Sequence, residues 1–429
     1  MFSFKKAAAG VLSCTMLLSS LVISGCSDSN TSGTQSADNT SNGSSTAHQG
    51  EIKDISSVEL VKDMKIGWSL GNTLDGGNES NRGQDPGAIE KSWGNPDTTK
   101  EMIDEIKKAG FNVLRVPTTW DWSTGEAPEY KISDEWFARV KEIVDYGMEN
   151  DMYVILNIHH ETWHDPLEKN YEAASDRLKK VWTQIGNYFK DYDEHLIFEG
   201  LNEPRVRNSD EEWNGGSDAT REVVNKLDAD FVSTIRSLDG NNKLRHLMIP
   251  GYAASSSEVA LKALKIPEND DKLIVSVHAY IPYNFALADS KKSNKWVACK
   301  EGFTNDIDYL ANMLKTLFTD KGQAVIIGEF GARSKDNEKY RAEWAKYYVT
   351  KMKTIGVPCV WWDNGAFIGS GELFGLFDRR NLEWRYPLVK DALISASNGE
   401  YTVDGLKSDT AILDELKKDI AQSKNSSAE

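Results

Sequence analysis

Eight times between residues 65 and 365 the chain enters a short apolar run rich in β-branched and aromatic residues, breaks into polar positions, and resumes with a longer amphipathic stretch. The runs are KIGWSLGNTL (65–74), NVLRVPTTW (112–120), YVILNIHHE (153–161) and LIFEGLNEP (196–204). Four more follow: HLMIPGYA (246–253), LIVSVHAYIP (273–282), AVIIGEFGA (324–332) and PCVWWDNG (358–365). Their length and composition predict buried strands. The intervening stretches carry helical spacing. Residues 98–110 place Ile103, Ile106 and Ala109 on one face before Gly110, and residues 134–150 and 340–356 behave alike. Strands alternating with amphipathic helices predict parallel βαβ units, and eight of them close a (β/α)8 barrel, the TIM barrel, as a single catalytic domain over 51–399. No Gly-x-Gly-x-x-Gly opens the first unit, which disfavours a doubly wound sheet. A further helical stretch, YPLVKDALISA (386–396), is placed to seal the barrel, and 400–429 form a polar tail.

The polar ends of these strands carry the candidate chemistry. Strand C-termini and the loops beyond them form the working face of such a barrel. There the sequence sets Asn72, Arg115 and Trp120, His159 and His160, Asn202 and Glu203, His278 and Tyr280, Glu329, and Trp361, Trp362 and Asp363. Any one of these has a bland reading as an ion-pair partner or a satisfied core residue. Together, barrel geometry aims them at one cavity. Glu203 is expected to close the fourth strand and Glu329 the seventh, facing each other across the mouth. Two opposed carboxylates are what glycosidic cleavage needs, one protonated and one ionised. Arg115 beside one would hold it ionised, and burial among tryptophans would keep the other protonated.

Composition sharpens the picture. The formal net charge is −16 with no basic block, which excludes nucleic acid as a partner. Thirteen tryptophans, many in loops, suit stacking on flat sugar rings; Trp93, Trp120, Trp163, Trp213 and Trp296 are the loop candidates. Residues 1–25 read as a lipoprotein signal peptide: Lys5 and Lys6, an apolar run, then ISGC, which resembles a lipobox. Cys26 is then expected to be the lipidated N-terminus, anchoring the protein to the extracellular face of a bacterial cell membrane; the alternative is an ordinary secretory signal and a secreted protein. Residues 26–50, rich in Ser, Thr and Asn, read as a flexible linker. Cys299 and Cys359 remain, either unpaired or bridged.

GLNEP (200–204), IGEFG (327–331), NVLRVP (112–117), NIHHE (157–161), VHAY (277–280) and WWDNG (361–365) together resemble glycoside hydrolase family 5. With IGWSLGNTLD (66–75) and WGNP (93–96), they are most similar to its subfamily 4 endoglucanases. The resemblance spans roughly residues 51–395. It implies a retaining endo-β-1,4-glucanase with Glu203 as general acid/base and Glu329 as nucleophile. It also implies Arg115 and Tyr280 beside the nucleophile, His278 beside the acid, and Asn202 and His159 on sugar hydroxyls. Trp362, favoured over Trp361, would be the platform beneath the sugar, with His160, Asn72 and Trp93 as further contacts. No cofactor and no catalytic metal are implied. The retaining geometry sets the two carboxyl groups about 5–5.5 Å apart.

Three alternatives remain open from sequence: the same fold and mechanism acting on mannan or xylan, a metal-dependent barrel hydrolase using His159, His160 and His278, and a non-catalytic glycan-binding lipoprotein. The first strand lacks the His-x-His that metal-dependent barrels carry, and the presence of both glutamates disfavours a binding protein. Xyloglucan and mixed-linkage glucan stand beside cellulose-type glucan as substrates. The acidic surface and the lack of a coiled-coil segment point to a monomer.

Overall fold

The computed structural model describes residues 48–413. The proposed leader, Cys26, most of the linker and residues 414–429 lie outside the described residues. Eight parallel strands close into a barrel in chain order: β1 (Ile66–Leu70), β2 (Val113–Val116), β3 (Tyr153–Asn157), β4 (Leu196–Glu199), β5 (Leu247–Ser255), β6 (Leu273–His278), β7 (Ala324–Phe330) and β8 (Cys359–Asp363). β8 pairs back onto β1 with Ser69 beside Trp362.

The two-residue period of each strand explains the core. Outward-facing Leu114, Val116, Val154, Leu156, Leu196 and Phe198 pack under the helices. Inward-facing Val113, Ile155, Ile197, Met248, Ile274, Ile326 and Val360 fill the lower barrel. The helix Ser57–Asp63, capped by Ser56, plugs the bottom with Leu60 and Val61, joined by Met64. Each fully buried side chain of this size contributes about 1.5–3 kcal/mol. One pleat further up, the same inward positions turn polar: Ser69, Arg115, Asn157, Glu199 and Ser276, all buried. The apolar floor therefore carries a polar layer, and the functional groups stand on it.

The outer helices follow their apolar faces. Lys100–Ala109 buries Met102, Ile103 and Ile106 and stops at Gly110, whose φ of 113° lies in the left-handed region. Pro387–Asn398 packs Val389, Ala392, Leu393 and Ala396 inward. Beyond it, Val403–Ser408 is helical with Leu406 buried and Lys407 bonded to Asp308. Cys299 and Cys359 are both free thiols. Cys359 is buried, which pushes its thiol well above the ordinary range.

Candidate active site

Arg115, projecting inward from β2, organises the mouth. Its Nε donates to Glu199 Oε2 (2.9 Å), Nη1 to Glu329 Oε1 (2.6 Å) and Nη2 to Asn202 Oδ1 (2.7 Å). It is fully buried and firmly charged: burial opposes the charge, and Glu199 and Glu329 outweigh burial. Breaking a buried pair of this kind by removing one partner costs about 3–5 kcal/mol. Because Asn202 Oδ1 is taken by Arg115, its NH2 is the group left to donate to a ligand.

Glu329 is held at both oxygens, since Tyr280 Oη donates to Oε2 (2.9 Å). Tyr280 stays a phenol because burial and the nearby carboxylates, Glu329 foremost, push its pKa well up. Gly328, just before Glu329, has no room for a side chain: a Cβ there would lie 2.8 Å from Ser276 Oγ and 3.2 Å from His278 Nε2.

Glu203 lies across from Glu329 and is anchored differently. His278 Nδ1 stands 2.9 Å from its Oε1, and Arg205 Nη1 donates to Oε2 at 3.3 Å. His278 Nδ1 is also 3.6 Å from Glu329 Oε2. Facing two carboxylates, that nitrogen carries a hydrogen. One oxygen of Glu203 and one of Glu329 lie within 4.8 Å of each other. Three carboxylates (Glu199, Glu203, Glu329) thus meet three cationic groups (Arg115, Arg205, protonated His278) in one cluster, buried except for the half-buried Glu203 and Arg205.

Two expectations need correction here. β4 ends at Glu199, so Glu203 stands in the loop beyond the strand rather than at its end. That loop is fixed instead by hydrogen bonds from Gly200 N to Met248 O, from Trp182 Nε1 to Gly200 O, and from Ala253 N to Pro204 O. The polar contacts of Glu203 come from His278 and Arg205, not from tryptophans. Burial raises its pKa, but the His278 hydrogen bond and charge, with Arg205 and His160, bring it below the usual 4.5. His278 moves the other way: burial lowers it, and Glu329 and Glu203 raise it above 6.5. The pair therefore shares one proton, resting on the imidazole.

A pH prediction follows. A raised imidazole keeps its proton below its folded pKa and loses it as pH rises through that value. The alkaline limb of kcat/KM for the free enzyme should accordingly have an apparent pKa above 6.5. A pH–rate profile with that limb at or below 6.5 would contradict this pairing.

On the opposite wall, His159 is buried and its ring lies parallel to Trp362 (centroids 5.6 Å apart, 4°). Asn157 Nδ2 donates to His159 Nδ1 (3.0 Å), because Asn157 Oδ1 is committed to Thr118 N. His159 is accordingly neutral, its pKa pushed well down by burial, then by His160 and Arg115. Its Nε2 carries the hydrogen. Trp362 is buried at the mouth, and Gly71 admits its ring, since a Cβ there would meet Cη2 at 2.8 Å. Trp361 faces outward, fully buried, with Nε1 on Phe374 O. Asn72, at φ 56°, stands beside Asp75, which accepts from the backbone N–H of Asn72 and of Thr73. His160 Nε2 lies 3.9 Å from Asp75 Oδ2, and the His160 ring is 5.6 Å from that of Trp93, which is 42% exposed.

The loop tryptophans divide. Trp120 and Trp296 are core residues, 1% and 2% exposed, with indole N–H groups on Asn157 O and Phe303 O; neither is available for stacking. Trp163 is half-buried under Arg177. Trp213 is 61% exposed with the Arg205 guanidinium 4.3 Å over its ring, which places it on the Glu203 side.

Glu199, Asn157, Ser276 and Arg205 escaped the sequence reading. Glu199 accepts from Arg115, Asn157 Nδ2 (3.0 Å) and Ser276 Oγ (2.6 Å). Its trace in the sequence is a carboxylate two residues after Ile197, hence on the same inward face.

A closed parallel barrel whose mouth gathers opposed carboxylates among buried cations and an aromatic wall defines a barrel hydrolase. Residues 77–367 match the model of the family described as cellulase, glycosyl hydrolase family 5, and the chain belongs to that family. It is similar to endoglucanase B of Neocallimastix patriciarum, 50% identical over 349 residues, covering 80% of this chain and 72% of that protein. Among solved structures it resembles a GH5-4 broad specificity endoglucanase from Ruminococcus champanellensis with bound cellotriose. That match has TM-score 0.77 and 43% identity, over 80% of this chain and 99% of that one. It also resembles a GH5 family lichenase from Caldicellulosiruptor sp. F32, with TM-score 0.76 and 43% identity, over 81% and 97% of the two chains. This protein is a glycoside hydrolase.

Proposed function

We propose that the protein is a retaining endo-β-1,4-glucanase acting on cellulose-type and mixed-linkage glucans, with Glu329 as nucleophile and Glu203 as general acid/base. The observation that carries the assignment of roles is the asymmetric holding of the two carboxylates. Glu329 is bound at both oxygens by Arg115 and Tyr280, whereas Glu203 is bonded to the group that holds the exchangeable proton. One oxygen of each carboxylate lies within 4.8 Å of one of the other, which lets both reach a single glycosidic bond from opposite sides.

The sugar at the cleavage point lies on Trp362, its hydroxyls taking hydrogen bonds from Asn202 and His159. Glu329 attacks the anomeric carbon as the glycosidic C–O bond breaks. The proton of the His278–Glu203 pair passes through Glu203 to the departing oxygen. With the pair's proton gone, Glu203 takes one from water; the resulting hydroxide displaces Glu329, and the product keeps the β configuration. Arg115 and Tyr280 hold Glu329 in place and support it as it leaves. Trp93 and Trp213, the exposed rings on two sides of the mouth, extend the binding surface along the chain. The ISGC segment supports lipidation at Cys26 and display at the outer face of the membrane.

Reducing-sugar release from carboxymethylcellulose, barley mixed-linkage glucan, xyloglucan, glucomannan and xylan, with and without EDTA, tests the substrate reading. The expected result is EDTA-insensitive cleavage that is fastest on the β-glucans. Cleavage confined to mannan or xylan would overturn the specificity while leaving the fold in place.

A further inference from the structure

The end of the barrel opposite the mouth carries a cluster that hydrolysis does not use. Residues 48–50 run antiparallel to 191–193: Asp193 N donates to His48 O (3.0 Å) and Gly50 N to Asp191 O (3.0 Å). This brings His48 beside His195, just ahead of β4, and beside Asp151, just ahead of β3. The two imidazole centroids are 4.2 Å apart.

Asp193 fixes both rings. His48 Nδ1 lies 2.8 Å from its Oδ2, and His195 Nδ1 lies 3.0 Å from its Oδ1. A carboxylate only accepts, so both Nδ1 atoms carry hydrogen. In the neutral rings each Nε2 is then a bare lone pair. Both lie near Asp151 Oδ1, at 3.3 Å from His48 and 3.9 Å from His195. The three ligand atoms lie within 4.8 Å of one another. Three acceptors converging with no donor among them call for a positive charge at their centre.

We propose that His48 Nε2, His195 Nε2 and Asp151 Oδ1 bind a divalent cation of the zinc class, with water on the open side. Tetrahedral zinc with bonds of about 2.0–2.1 Å sets its ligand atoms about 3.3 Å apart. The His48–Asp151 separation already meets that spacing, and His195 closes by a small ring movement. Two imidazoles and one carboxylate suit zinc, nickel or copper rather than calcium or magnesium. Asp193 plays the part of the outer carboxylate that orients metal-bound histidines. The imidazoles are largely shielded, at 18% and 14% exposure, and the Tyr153 ring stacks on His195 at 4.7 Å. Asp151 is 77% exposed and leaves an entry path. The ion staples the start of the folded body to the loops before β3 and β4. Its effect falls on stability, far from the hydrolytic site. The competing occupant of the same space is a proton on either imidazole.

Calorimetric titration of zinc chloride into tag-free, EDTA-stripped full-length protein tests the proposal, with cobalt(II) absorption reporting coordination geometry. One saturable equivalent, a tetrahedral cobalt spectrum and a Tm rise of about 3–5 °C at zinc near 100-fold its Kd are expected. His48→Ala, His195→Ala and the surface change Asp151→Asn should each weaken binding about 10-fold or more, and Asp193→Asn about 10–100-fold. The rate of glucan hydrolysis at assay temperature should not change on zinc loading. Absence of saturable binding overturns the proposal. So does binding that survives the His48→Ala/His195→Ala double variant, or that is lost with His159→Ala instead.

Discussion

Glu329→Gln is expected to lower kcat on mixed-linkage glucan by about 10^4-fold or more while leaving the fold intact. The amide keeps the shape of the carboxylate and still offers an oxygen to Arg115, whose charge stays balanced by Glu199 at 2.8 Å. What it lacks is the anionic oxygen that attacks the anomeric carbon, so no covalent intermediate forms. Thermal unfolding of the variant should therefore stay close to that of the parent while turnover collapses. A stricter form of the prediction uses Glu329→Gly with added azide. The small anion enters the space vacated below the sugar, attacks once from that side, and leaves an α-glycosyl azide. Recovery of the β-azide instead would assign Glu329 to the other face of the reaction.

Glu203→Gln is expected to separate substrates by their leaving groups. A glucan departs as a sugar hydroxyl, which needs a proton, and loss of a positioned acid costs about 10^2–10^4-fold. A dinitrophenyl cellobioside departs as a stable phenolate and should form the covalent intermediate at nearly the parental rate. Release of that intermediate still needs Glu203 as base, so a burst followed by slow turnover is the signature. Azide, which needs no base, should restore turnover and give the β-azide. An equal loss on both substrates, with no burst, would remove Glu203 from the acid role. His278 should partly share this behaviour, because in the proposed mechanism it holds the proton that Glu203 delivers.

Much of this arrangement is visible in the sequence because strands repeat every two residues. Ile197 and Glu199, or Ile274, Ser276 and His278, share the inward face, so an apolar floor beneath a polar layer follows from alternation alone. The family motifs fall at the tops of the same strands, which is why Arg115, Glu203, His278, Tyr280 and Glu329 are legible in the sequence as one group. The end of β4 was less legible. The run from Leu196 to Pro204 has no break that distinguishes strand from loop, and the contacts that fix Glu203 come from β5, β6 and Trp182. Loop tryptophans were least legible. Trp120 and Trp296 stand in polar surroundings in sequence, yet each folds back to place its indole N–H on a buried carbonyl. The histidine cluster at the far end of the barrel had no signature at all, since positions 151 and 195 meet through the pairing of β3 with β4 and position 48 joins them through the Gln49–Tyr192 bridge.

The most direct measurement is trapping with a dinitrophenyl 2-deoxy-2-fluoro-cellobioside, followed by mass spectrometry of the intact protein and its peptides. The fluorine slows both steps, and the activated leaving group lets the first proceed, so the intermediate accumulates. A single glycosyl adduct on the peptide containing Glu329, formed as activity disappears, is the predicted result. Loss of activity with the adduct on another residue, or steady turnover to the α-anomer with no adduct, would contradict a retaining site with Glu329 as its nucleophile.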